Sequence, residues 1–146
     1  MACNQRLKNA HYKSAQSAYN NATQTMPATA TPVNVLGVLA TDTGCSIDTN
    51  TGGFTIECSG LYRISYDVIF TATAAGTETL QGLKDTMELP CMTAQATAVA
   101  SGTVTLHAET VLYIPACCGS TPTISAVLSG VAGTVTHVCA SVVKLA

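Results

Sequence analysis

The side chains of this 146-residue chain that could do chemistry are few. His107 stands two residues before Glu109, on the alternation opposite Val104, Leu106 and Ala108. An imidazole beside a carboxylate can move a proton, but catalysis also needs a nucleophile and a shaped pocket. The plainer reading is a polar strand face or an interface histidine. His137 alternates with Val135 and Cys139. Three copies gathered round an axis would bring three such imidazoles together, a ring suited to a metal ion or to sensing pH. A hydrogen-bonded interface histidine is the simpler expectation.

Seven cysteines (Cys3, Cys45, Cys58, Cys91, Cys117, Cys118 and Cys139) are an odd number, and their spacings fit no disulfide framework. Most are expected to be reduced, buried thiols acting as small hydrophobes. Cys117 and Cys118 are adjacent, so their side chains diverge and cannot chelate as a Cys-x-x-Cys pair does. Asp42, Asp48 and Asp67 are scattered, without calcium-loop spacing. Asn21-Ala22-Thr23 matches a glycosylation acceptor, which matters only on a secreted chain. There is no phosphate-cradling glycine loop, no paired catalytic carboxylates and no nucleophile elbow. The expectation is a protein that is not an enzyme, with no cofactor and no metal.

The elements that would carry these residues follow from composition and pattern. The length suits one domain with a real core. Charged residues are only 10% against 47% hydrophobic, too few charges to clothe a monomer, which points to self-association. Arg6, Lys8 and Lys13 precede the first acid, Asp42, so a sparsely basic segment leads an acidic body with three bases against eight acids. Such a segment lacks the clustered Lys and Arg of a nucleic-acid grip. No signal-peptide pattern occupies residues 1–30, and no apolar run is long enough to span a membrane. The expected site of synthesis and assembly is the cytosol.

Residues 1–31 read as an N-terminal arm and linker, and 32–146 as the folded domain. Few breakers allow a short helix over 4–20, and Thr23–Pro32 reads as extended linker. Strands are expected at Val33–Leu39, Phe54–Cys58, Leu61–Thr71, Thr77–Leu83, Met87–Leu89, Gly102–Ile114, Thr123–Ser129 and Thr134–Leu145, with 93–100 poorly determined and a turn at Cys117–Ser120. In Leu61–Thr71 the alternation is strict: Tyr62, Ile64, Tyr66, Val68 and Phe70 share one face, Arg63, Ser65 and Asp67 the other. Many short strands with turn punctuation and no helical period mean an all-β antiparallel sandwich or barrel.

Val33–Leu39 and Thr134–Leu145 are apolar on both faces, as strands covered on both sides are. In a two-layer sandwich the second cover comes from another subunit. These strands are therefore expected side by side at an oligomer interface that includes Val33, Val35, Leu36, Val38, Val138, Ala140 and Val142.

Gly53-Phe-Thr-Ile56 followed by Ser59-Gly-Leu-Tyr-Arg-Ile-Ser-Tyr66 resembles the signature of the tumour-necrosis-factor-like and complement-globular-head jelly rolls, in its bacterial and bacteriophage form. Thr71–Gly76, the Leu80–Pro90 hairpin, Gly102–Ile114 and Ser141–Leu145 continue the resemblance, which spans about residues 33–146. The hairpin carries Lys84-Asp85-Thr86 in place of Asn-Gly, and Cys117-Cys118-Gly119 replaces the usual Gly-Asp. The resemblance implies a compact homotrimer whose first and last strands face the three-fold axis. It implies a knob on a phage particle: a capsid decoration or head fibre located on the virion and held to the shell by arm residues Arg6, Lys8, Tyr12 and Lys13. A receptor- or glycan-binding fibre tip is the alternative, which the Thr, Ala, Gly and Ser loops and the absence of Trp do little to favour.

Overall fold

A computed structural model of the chain describes residues 13–116 and 120–146. Arg6, Lys8 and Tyr12, and the turn expected at Cys117–Gly119, lie outside the described residues.

The described chain forms twelve strands in two antiparallel sheets. Sheet A holds β1 (Ala15–Asn20), β2 (Gln24–Met26), β4 (Val38–Thr43), β7 (Gly60–Ala72), β10 (Thr103–Ile114) and β12 (Gly133–Lys144). Its order is β10-β7-β12-β1-β4, with β2 on the far end of β12. Sheet B holds β3 (Thr31–Pro32), β5 (Ile47–Asn50), β6 (Gly53–Ile56), β8 (Gly76–Lys84), β9 (Met87–Ala98) and β11 (Thr123–Ser129), in the order β5-β6-β11-β8-β9 with β3 on β11.

The core lies between the sheets, where period-two alternation sends every second side chain. Tyr62, Ile64, Tyr66, Val68 and Phe70 of β7 all point inward and are fully buried. Phe54 of β6 meets Tyr66 edge-on across the sandwich at 6.3 Å between ring centres. Burial pushes the Tyr66 phenol well above its usual range, and its hydroxyl has no partner. β9 bulges beside Gly82, where a Cβ would stand 2.5 Å from the sulfur of Met92. The bare backbone at Gly82 leaves room for the Met92 side chain to pack against it.

The strands of residues 53–72, 76–84, 103–114, 123–129 and 133–144 follow the sequence pattern closely. Two regions differ. Residues 15–32, read as the end of the arm and a linker, form β1, β2 and β3, with β1 inserted between β12 and β4. Apart from Ala18, its inward side chains are polar and satisfied. Gln16 donates to Asp42 and accepts from Thr49, Asn20 donates to the Asn34 carbonyl at 3.2 Å, and Ser14 accepts from the Ser46 amide at 3.1 Å. No helix forms over the described part of 4–20.

Val33–Leu39 is not one strand. Val33 donates to Ala126 of sheet B and Gly37 to Tyr19 of sheet A, so the segment crosses from one sheet to the other. Val33 and Val35 fill the core on the way. The strand beside β12 is β1, with β4 one place further out. Val138, Ala140 and Val142 likewise point into the protomer's own core. Five of the seven side chains expected at an oligomer interface are thus covered within one protomer, leaving Leu36 half-buried and Val38 exposed.

The cysteines also depart from expectation. Cys45 is disulfide-bonded. Of the free thiols among the described residues, Cys58 is buried, Cys139 half-buried and Cys91 exposed.

Candidate functional site: the outer face of sheet A

Strand pairing lines up the outward side chains of sheet A in rows, because directly paired residues share a face. One row reads Val111, Arg63, Val143, Ala15 and Thr43 across β10, β7, β12, β1 and β4. The next reads Glu109, Ser65, Ser141, Ser17 and Thr41, and the third His107, Asp67, Cys139, Tyr19 and Val38.

The middle of the face carries the short side chains of Ser65, Ser141, Ser17 and Ala15, with exposed Arg63 in the row beside them. Ser65 and Ser141 share a hydrogen bond at 2.8 Å. β10 stands proud along one edge, with every outward residue from Thr103 to Tyr113 exposed. The apolar content gathers at the end where the chain enters β1. Tyr113 is 62% exposed, Val111 51% and Leu145 47%, beside half-buried Leu61 and Val143. Val38 adds 47% on the opposite edge.

The third row holds the chemistry-bearing groups. His107 Nδ1 lies 2.7 Å from Asp67 Oδ1, and its Nε2 lies 3.7 Å from Glu109. Both groups of the close pair are about half exposed, so solvent screens it. Burial, then the Asp67 charge, pushes the Cys139 thiol up, which makes it a poorer nucleophile at neutral pH. His137 faces outward with Cys139, while Val135 is in the core. A bulge between Val135 and His137 shifts the alternation by one and separates residues that strict period two had put together. His137 stacks on Tyr19 at 6.5 Å and hydrogen-bonds Asn21 through Nδ1.

These groups are each tied to a structural neighbour. Among the described residues no three His, Cys, Asp or Glu side chains come together as a metal-binding group. Among the described residues, too, no helix is long and apolar enough to cross a membrane. What the face can do is adhere: it is largely uncharged toward β1 and rimmed by exposed Val, Leu and Tyr.

Lys13 is exposed at the root of β1. β1 then runs toward the end of the sandwich bearing the 73–75, 99–102 and 130–132 loops. Sequence reasoning missed β1 because its inward face is mostly polar. The available signal was the alternation of Ser14, Gln16, Ala18 and Asn20 with Ala15, Ser17 and Tyr19.

No protein-family model matches the chain, and no curated protein sequence matches it. Solved structures do. The phage PRD1 vertex protein P5 aligns over 91% of this chain and 97% of its own, with a TM-score of 0.66 and 14% identity. Eiger TNF from S. frugiperda aligns over 92% of both chains at 0.64 and 12%. The globular domain of zebrafish complement 1qA aligns over 90% and 96% at 0.57 and 14%. The chain therefore has the TNF/C1q-like jelly-roll fold.

Proposed function

We propose that this chain is a structural protein of a phage virion: a jelly-roll knob that self-associates as a homotrimer through the outer face of sheet A and decorates the particle surface through its N-terminal residues. The observation that carries the reading is the set of apolar side chains left open on that face, Val111, Tyr113 and Leu145, with half-buried Leu61 and Val143 beneath them. A lone protomer gains by covering such a patch, at about 25 cal/mol for each Å² of apolar surface removed from water. Likeness in fold to a phage vertex protein supports the virion setting.

The interface belongs to outward residues of β7, β10 and β12. Val138, Ala140 and Val142 fill the inner side of β12, and Val33 and Val35 belong to the core. The anchoring segment shortens to the residues before β1, with Arg6, Lys8, Tyr12 and Lys13 as its docking groups. Three such segments on one knob would strengthen attachment through effective concentration.

Sedimentation equilibrium tests the assembly. The expected species has about three times the 14.9 kDa of one chain. A monomer at micromolar concentration overturns the reading. Co-sedimentation with purified particles tests the anchor: the full chain is expected to pellet, and a chain beginning at Ser14 to remain in solution.

A further inference from the structure

Glu78 is the one acidic side chain among the described residues that is fully buried, and it lies outside the face described above. It points inward from β8 at the end of the sandwich furthest from Lys13. Its Oε2 accepts the Val131 amide at 2.8 Å, and its Oε1 has no partner.

The loop it holds is pressed hard onto β8. Gly130 has φ +132°, and a Cβ there would stand 2.0 Å from the Thr77 carbonyl oxygen. Val131 lies over Gly76, where a Cβ would meet its Cγ1 at 2.4 Å. The Ala132 carbonyl accepts both the amide and the hydroxyl of Thr73, at 2.9 and 2.8 Å. Glu78 thus fixes a loop that in turn fixes its neighbour.

The surroundings offer a charge nothing. The cross-strand partner of Glu78 is Ala96, and the inward neighbours on β8 and β9 are Leu80 and Ala98. Phe70 and Ala72 of β7, Val104 of β10 and Val135 of β12 are the inward residues at this end of sheet A. Burial raises the proton affinity of the carboxyl and the Val131 amide partly offsets it, with no contribution from another charged group. An ionised carboxylate in water has several donors, and one amide does not replace them.

We propose that Glu78 is a proton-operated latch. As the neutral acid it stays buried and holds the Gly130–Ala132 loop through the Val131 amide. When it loses its proton to water, the side chain turns outward and the loop is released together with its Thr73 contact.

The test is a pH series by NMR on the full chain. It follows the Glu78 side-chain carboxyl carbon and the hydrogen exchange of the Val131 amide, corrected for the intrinsic dependence of exchange on pH. The latch requires Glu78 to titrate above the other carboxylates and the corrected Val131 exchange to rise at least tenfold in step with it. In E78Q the step is expected to vanish, with Val131 protected throughout. Constant corrected protection of Val131 across the Glu78 titration overturns the proposal, as does an identical step in E78Q. Titration of Glu78 with the exposed carboxylates also overturns it, and needs no variant.

Discussion

The two sheets turn very different outer faces to their surroundings. Sheet B is closed on itself by short polar side chains. Gln81 donates to the Leu89 carbonyl at 2.9 Å and accepts from the Thr93 hydroxyl at 2.7 Å, and Gln95 donates to Thr79 at 3.2 Å. Each group finds its partner within the protomer. Sheet A has such pairs as well, Ser65 with Ser141, Thr71 with Thr103 and His107 with Asp67, but at the end where the chain enters β1 it leaves Val111, Tyr113 and Leu145 open. A face whose polar groups are satisfied internally has little to gain from a partner. A face with uncovered apolar side chains gains by being covered.

The sharpest way to break this contrast is to charge both faces in turn. The double substitution Val111→Asp with Tyr113→Asp is expected to weaken self-association at least a hundredfold by sedimentation, with an unchanged circular dichroism spectrum. Thr93→Asp and Thr97→Asp on sheet B are expected to leave the sedimenting mass as it was. Equal loss from both pairs would erase the distinction.

Removing hydrogen bonds inverts the ranking, since the protomer's own stability is then measured. Gln81→Ala is expected to cost about 1–2 kcal/mol in chemical denaturation, because a carbonyl and a hydroxyl lose their partner together. Ser141→Ala is expected to cost about 0.5–1 kcal/mol, having only Ser65 to lose.

Acidity separates the two faces again. Glu78, behind sheet B, has its carboxyl pushed up by burial, so the folded state holds its proton more tightly than the unfolded chain does. Its contribution is full below the unfolded carboxylate range and is lost as pH rises through the folded value. E78Q is expected to flatten that decline in denaturation midpoints measured from pH 4 to 8. The smallest effect is expected from D67N on the outer face of sheet A. The His107–Asp67 pair is half exposed, so protomer stability should shift by less than about 0.5 kcal/mol.

Much of the fold was legible because β7 writes it plainly: five large side chains at strict alternation, all buried. β11 and β12 were legible for the same reason. β1 was not, because its inward residues Gln16 and Asn20 are held by hydrogen bonds to Asp42, Thr49 and Asn34, partners that only the tertiary fold supplies. Val33–Leu39 misled through real hydrophobicity. Its valines are buried, but in a crossing between sheets rather than in a strand covered on two sides. The candidate face was half legible. The sequence pointed to the last strand, but period two alone could not say which of its sides was already filled by the protomer's own core. The bulge before His137 then moved Val135 to the inside.

The route by which the chain enters the sandwich has a mechanical consequence. β1 lies between two antiparallel neighbours, β12 and β4, and the residue leading into it is stitched on both sides. The Lys144 amide donates to the Ser14 carbonyl at 2.8 Å, and the Ser46 amide donates to the Ser14 hydroxyl. A pull on the leading end therefore acts along the strand axis. It would strain both ladders of cross-strand bonds at once, where a pull across the strands would peel them open singly. Fluid drag on a tethered body would be borne in shear, the loading direction in which a sheet yields last.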